Sequence, residues 1–442
     1  MKKMILCAAA LTFGATVFAQ SNESEVISTG NNNTSTVTQT GSINNSEVEQ
    51  RGDDNTSTVT SLGRNNNSKV AQVDDRNTST VLQDGGDNNT SRVSQGQIDS
   101  NGNVPRTGRD NISEVTQFGN ANKSVVTQWD SNVSLGEFNE SYVVQTGDGN
   151  ESTVAQIGDF NISNMDQVGD DNLSDVDQTG NTNISDVDQD GMLNDSDVDQ
   201  LGDNNSAQVD QSGDANIAVS YSGGNGNLSR IRESGNDNNQ NTYQLGDDNR
   251  SIVRINGDLN IGDIDQVGDR NNVVMELGGD TNNGLVNQLG DDNSALVDVL
   301  GDNNDVDVVQ TGNSNNAGDD FLPGDGANII GDDNQIEITQ TGDFNDGFAR
   351  TTGNDNASFT TQTGDSNISF TTQTGDDNTS IVTQLGDDNT SFVTQDVSFN
   401  STSTVLQDGN LNMSTVNQSG DFQTSTVTQT GNMNTSTVTQ GN

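Results

Sequence analysis

The 442-residue chain has no histidine and one cysteine, Cys7. Without imidazole there is no conventional Ser-His-Asp triad, no imidazole base and no histidine metal site. Because Cys7 lies in the N-terminal leader, the remainder has no disulfide, no thiol chemistry and no Cys/His zinc centre. Only two prolines occur, Pro105 and Pro323. Aromatic residues make up 4% and hydrophobic residues 27%, too little for the two or three ordinary cores that this length suggests. Basic residues are also scarce: 16 Lys and Arg stand against 66 Asp and Glu, a net charge of −50. Nucleic acid and anionic membrane surfaces are therefore poor partners, and divalent cations are better ones. Beyond the leader no segment approaches the ~20 apolar residues that span a bilayer. Glycines occur mostly singly, at turns, so no phosphate-cradling loop is indicated. Carboxylates recurring in every module form no unique catalytic pair, so the chain does not read as an enzyme.

Low hydrophobicity with high charge usually means disorder. Here a fixed period argues otherwise. From Gln145, steps of eleven reach Gln310 in sixteen positions, eleven of them Gln. Gly follows two residues after every mark (Gly147, Gly158, Gly169 through Gly312) and Asn five after (Asn150, Asn161, Asn172 through Asn315), without exception. A short, unbroken period means one small unit stacked many times.

Residues 1–19 read as a secretory signal peptide, with Lys2 and Lys3, an apolar run from Met4 to Val17, and Val17-Phe18-Ala19 before Gln20. A short segment, 20–27, precedes the repeats. These run over 28–320, irregular at 95–105 and 128–133, and resume at 329–442 after an insertion at 321–328 that holds Pro323. The single Trp, Trp129, lies in the second irregular stretch.

Read from its Asn, each module is Asn-x-Ser-x-Val-x-Gln, the alternation of a strand with Asn, Ser, Val and Gln turned inward. The intervening Gly-Asp-Asp-Asn is turn chemistry. One module is thus a strand and a tight turn, and two modules make a 22-residue coil. The fold class is all-β: a β-solenoid of two-strand coils, two facing parallel in-register sheets with cross-β-like spacing. A three-sided coil of 33 residues is the competing geometry. Extra residues between Gln83 and Gln95, and between Gln395 and Gln407, leave Ser and Val at their offsets, so they belong in turns and not in strands. Proline cannot donate to a ladder and sits where the pattern is already broken.

One Val per module returns ~1.5–3 kcal/mol, against ~16 kcal/mol for ordering eleven residues. Stacked amides must supply part of the rest, since a primary amide both donates and accepts. The candidate ladders are Gln145, Gln156, Gln167, Gln178, Gln189 and Gln200, with Asn150, Asn161, Asn172, Asn183, Asn194 and Asn205. Outward acids on consecutive strands, Asp175, Asp177, Asp197 and Asp199, are weak calcium candidates, because carboxylates ~4.8 Å apart repel and Ca²⁺ takes carboxylate oxygens. No other cofactor is expected. Outward Thr-x-Thr rows (Thr34/Thr36/Thr38, Thr435/Thr437/Thr439) are similar to those of ice-binding solenoids, although Thr is also a good strand residue.

The pattern Gln-x-Gly-x-x-Asn-x-Ser-x-Val-x-Gln, clear in Gln429–Gln440 and Gln167–Gln178, resembles the curlin repeat of curli-type functional amyloid. The resemblance covers nearly all of the chain after the leader. It implies a secreted fibre subunit polymerising at the cell surface into biofilm matrix, with adhesive function, an outer-membrane export channel and a nucleator as partners. The expected assembly ends are Val37 and Gln39 at one end and Val427, Gln429, Val438 and Gln440 at the other, with no cap to stop growth. A monomeric binding rod, a cation-dependent adhesin or an ice binder, is the second reading.

Overall fold

The computed structural model describes residues 21–98, 105–106, 108–129, 138–318 and 326–441. The leader, Cys7, Pro323, residues 130–133 and most of the 321–328 insertion lie outside the described residues.

The described residues are all strand and turn. Strands of typically seven residues alternate between two parallel sheets, so each pairs with the strand 22 residues onward: Asp175 lies beside Asp197, and Gln178 beside Gln200. The first sheet has 18 strands, beginning at Glu23–Thr29 and ending at Thr424–Thr430. The second runs from Thr34–Ser42 to Thr435–Gly441. The coil is therefore two-sided, and the three-sided alternative is excluded. Stacked rings measure the rise: the Tyr221 and Tyr243 centroids, one coil apart, are separated by 4.8 Å.

Alternation sets the inside. In Leu173–Thr179 the buried residues are Ser174, Val176 and Gln178, and Asp175 and Asp177 point out. The glycine of each turn is required for two reasons. At Gly202 the backbone has φ +121°, and a Cβ would stand 2.0 Å from the carbonyl oxygen of Gly224 in the next coil. The second residue after each such glycine is left-handed whatever its side chain, including Phe160 (φ 59°), Leu193 (φ 60°) and Leu259 (φ 60°). Stacking imposes one turn geometry on every coil, even where sequence would choose otherwise.

Both one-residue insertions lie past the glutamine where other modules turn, but not in a tight turn: the strands Thr78–Asp87 and Thr390–Phe399 run on beyond Gln83 and Gln395 and take up the extra residue as a register shift against Ser61/Gly63 and Gln373/Gly375. Pro105 lies outside both sheets, in a small antiparallel pairing of Gln97–Ile98 with Pro105–Arg106. Three boundaries differ from the sequence reading. The first sheet begins at Glu23 and not near Ser28, because Ser24, Val26 and Ser28 already alternate in register with Ser46, Val48 and Gln50. Gln128 and Trp129 stay in a regular strand, so the second break starts after them. The inserted residues fall within 318–326 and not at 321–328, and they interrupt a strand of the second sheet: Asn316–Ala317 and Ala327–Ile330 flank them, both paired with Ser294–Leu300. Their even number keeps Ala327 and Ile329 inward.

The core changes character along the rod. Over much of its length Val columns stand beside buried amides. Between Val253 and Ala349 the second sheet turns apolar at its glutamine position, and Ile255, Leu277, Val299 and Ile329 pack there, with Met275, opposite the first-sheet ladder of Gln266, Gln288, Gln310 and Gln340. Small residues make room for large ones: a Cβ on Gly284 would lie 3.0 Å from the Met275 sulfur and 3.3 Å from Leu277 Cδ2.

Candidate functional site: stacked amides and open ends

The eleven-residue comb of glutamines divides into two ladders, one per sheet. In the first sheet Gln156 Nε2 donates to Gln178 Oε1 (2.9 Å), and Gln178 Nε2 to Gln200 Oε1 (2.9 Å). In the second, Gln145 donates to Gln167, Gln167 to Gln189, and Gln189 to Gln211, each at 2.9 Å. Each amide also reaches across the core. Gln156 Nε2 donates to the Glu140 carbonyl of the opposite sheet (2.9 Å), and Gln178 Nε2 to that of Ile162 (3.0 Å). One side chain thus bonds along the rod and between its walls. All of these glutamines are buried.

Asparagine bonds chiefly to backbone over the coils from Asn150 to Asn205, and at many coils from Asn216 onward it also makes the expected copy-to-copy amide bond, as Asn216 Nδ2 to Asn194 Oδ1 (3.2 Å) and Asn304 Nδ2 to Asn282 Oδ1 (3.0 Å). Asn150 Oδ1 accepts the backbone N–H of Asn172 (3.0 Å), and Asn150 Nδ2 donates to the carbonyl of Gly169 (2.8 Å). Asn161, Asn172, Asn183, Asn194 and Asn205 likewise donate to Gly180, Gly191, Gly202, Gly213 and Gly224. The shorter side chain sits where the turn enters the strand and satisfies backbone groups that the ladder leaves free. The residue after each turn glycine plays a similar part. Asp170 Oδ1 accepts the N–H of Asp148 (2.8 Å), and Asp203 Oδ1 that of Asn181 (2.8 Å). Sequence reading took these residues as local turn chemistry; the bonds run instead from one coil to the next, and the fixed offset from Gly was the signal for that bracing.

The second-sheet ladder ends inside the rod. Gln211 Nε2 donates to Glu233 Oε2 (2.9 Å), and beyond stand Ile255, Leu277, Val299, Ile329 and Thr351 before Gln373 resumes the ladder. Glu233 is fully buried, and its Oε1 meets no partner. Burial pushes its carboxyl up to about 8, while the Gln211 amide works in the opposite direction.

Asp175, Asp177, Asp197 and Asp199 form a two-by-two outward array on the first sheet. Desolvation first, then the charges of Asp177, Asp197 and Asp199, push Asp175 up to about 6. Among the described residues, no group of three or more Asp, Glu, Cys or His is arranged to hold a metal ion.

At the C-terminal end Val427 and Gln429 close the first sheet and Val438 and Gln440 the second. At the N-terminal end Val37 and Gln39 belong to the second sheet, whereas the first ends on Val26 and Ser28, which takes the place of Gln and donates to Gln50 Oε1 (3.0 Å). Side chains at the two ends differ in cover. Val427 is 5% exposed and Val26 is 37% exposed. Every glutamine ladder points its donors toward the C-terminus, down to Gln418 Nε2 on Gln440 Oε1 (2.9 Å). No helix among the described residues is long and apolar enough to cross a membrane.

Such a frame, a two-walled parallel β-solenoid whose interior is stitched by repeating amides, defines a structural repeat protein. The curlin associated repeat matches the chain four times, at 169–202, 331–364, 364–396 and 412–441, and the chain is a curlin-repeat protein. No curated protein matches it.

Proposed function

We propose that the chain is a secreted, curli-like fibre subunit that polymerises end to end at the cell surface, giving an extracellular matrix its cohesion and adhesion. The supporting observation is the polarity of its open ends. The last amide of the second sheet, Gln440, lies at the donor end of the Gln373–Gln440 ladder, and Gln39 stands in the same inward column at the opposite end of that sheet, next to Ser61. Addition of a copy in the same orientation continues the two backbone sheets, sets Gln440 against Gln39 of the incoming chain, and preserves the 22-residue register. Opposed orientation would set donor on donor. Both ends expose unpaired strand edges, which template further strands. In this reading the leader directs secretion, and an export channel and a nucleating subunit are the partners.

Proline at Val427 and Val438 removes ladder donors from both terminal strands. The Val427→Pro/Val438→Pro chain is expected to elongate more slowly than wild type by thioflavin fluorescence, and unchanged kinetics would refute end-to-end growth. Wild-type fibres should give a ~4.7 Å meridional reflection. A leader-free chain that stays monomeric and inhibits ice growth would favour the binding-rod reading instead.

A further inference from the structure

Basic residues are unevenly placed. After Lys123 only six remain: Arg230, Arg232, Arg250, Arg254, Arg270 and Arg350. Four of these lie on two neighbouring strands of the second sheet, Leu228–Ser234 and Arg250–Asn256. Register places them directly after an acidic run on the same outward face. One column reads Asp166, Asp188, Asp210, Arg232, Arg254, and the next reads Asn164, Asp186, Gln208, Arg230, Ile252. The face is negative on one side of strand Ser206–Ser212 and positive on the other.

We propose that this face of the second sheet docks a second copy of the chain, lying antiparallel about a two-fold axis that runs along strand Ser206–Ser212. The operation sets Arg230 against Asp186 of the second copy, Arg232 against Asp188, and Arg254 against Asp166, each pair occurring twice. The flanks agree. Ile184 meets Leu228 of the second copy, Phe118 meets Leu300, and Glu276 meets Val144, while Glu114 meets Leu296. The one like-charge meeting is Asp210 with its own copy on the axis, and there Arg232 of the same chain lies 3.6 Å away. Parallel docking about the rod axis instead sets Arg232 on Arg230 and Asp188 on Asp186, and charge rejects it.

Two further observations favour a cationic partner for the acidic half. Asp188 is pushed up by burial and then by the charges of Asp186, Asp166 and Asp210, so a counter-charge relieves it. Asp166 is raised by burial and by Asp190. On the basic half, the Arg232 side chain is 69% exposed and the Arg254 side chain 50%, leaving guanidinium N–H groups toward solvent beyond their contacts with Asp210 and Glu276. From Ile112–Phe118 to Ser294–Leu300 the matched face covers nine strands, roughly 900 Å² per copy at ~4.8 Å per strand and ~23 Å of strand length. That is close to the ~800 Å² per partner of a stable complex. With exposed charges at its centre, the association is expected to be salt-sensitive, weakening as the screening length falls from ~8 Å to ~3 Å in 1 M salt. The inference concerns lateral pairing and does not rest on end-to-end growth.

The leader-free chain has no cysteine, so Gln208→Cys places a single thiol on the two-fold axis. A bis-maleimide whose reach matches the ~10 Å separation of facing sheets should link two copies covalently at 0.15 M salt. Asn241→Cys, on the opposite sheet, should not be linked. Adding Arg230→Asp/Arg232→Asp, or alternatively Asp186→Arg/Asp188→Arg, should cut the linked dimer by about tenfold or more. Mixing these two chains should restore it, because each then meets its complement. A Gln208→Cys yield no higher than that of Asn241→Cys, or a mixture no better than its components, would overturn the proposal. Growth at the rod ends moves neither result.

Discussion

Glu233 should make one coil of the rod sensitive to pH, in a direction opposite to most carboxylates. It occupies a glutamine position of the second-sheet ladder, fully buried, with Gln211 on one side and Ile255 on the other. The inward neighbours across the core, Ala218, Ser220, Gln240 and Thr242, carry no charge. The charged groups of the adjoining strands, Asp210, Arg232 and Arg254, sit on the outward face. A carboxyl held near 8 when folded, against 4.5 ordinarily, keeps its proton in the folded state while the unfolded chain has lost it. Stability is therefore complete below about pH 4.5, declines as pH rises, and is fully lost above about pH 8. Over that window the penalty is roughly 5 kcal/mol, from 1.36 kcal/mol per pH unit. A stacked rod need not unfold as one unit, so the effect should be local. Hydrogen exchange of the Leu228–Ser234 amides, compared with the same segment in Glu233→Gln at each pH, cancels the intrinsic pH dependence of exchange. Glutamine restores an amide able to donate to the Ile217 carbonyl, as Gln211 does to that of Asp195 at 3.1 Å. The two proteins should match near pH 4, and the variant should be more than a hundredfold better protected at pH 9. Equal protection at pH 9, or a difference that does not change with pH, would refute the reasoning.

The stacked turns carry further tests. Gly202→Ala should cost more than about 3 kcal/mol, because the new Cβ meets the Gly224 carbonyl and cannot move off it; limited proteolysis should then cut near residue 202. Leu259→Gly should stabilise its coil by about 1 kcal/mol, since a 54%-exposed leucine held at φ 60° gains little from its side chain; slower local exchange would show it. Ser196→Ala should be neutral or slightly stabilising, within about 1 kcal/mol, because its buried hydroxyl has no hydrogen-bond partner. Gln178→Ala should instead cost several-fold more, breaking bonds to Gln200 and to the opposite sheet, and chemical denaturation of the pair separates the two.

The coil was legible because each inward position repeats the same residue type. Val176 and Val198, or Gln178 and Gln200, announce their own pairing. The change of core was less legible. Four of the five departures from Gln in the long run are Glu233, Ile255, Leu277 and Val299, spaced by 22, and that spacing places them in one sheet. The comb of eleven hid it, because it superposes both sheets on one register. Glycine at 262 and 284 reads as a weak strand residue until Met275 and Leu277 are seen to occupy the space. Half of the role of asparagine was legible: bonds between copies, as Asn216 Nδ2 to Asn194 Oδ1, follow from the repeat, whereas the added bonds to the turn carbonyl and to the next backbone N–H depend on the reach of a short side chain. The strand at Glu23–Thr29 was missed because Ser28 replaces Gln there, and its pairing with Asn45–Arg51 comes from position and not from a matching letter.

Two walls shared by one alternating thread make the length of such a rod quantised. Gain or loss of 22 residues leaves every later segment on its own wall, with all its vertical neighbours unchanged. Gain or loss of eleven transfers everything downstream to the opposite wall, so that Ile255 and Leu277 would stand above glutamines they never met. Duplication and trimming can thus lengthen or shorten the protein freely in whole turns, while half a turn rewrites the interior from that point onward.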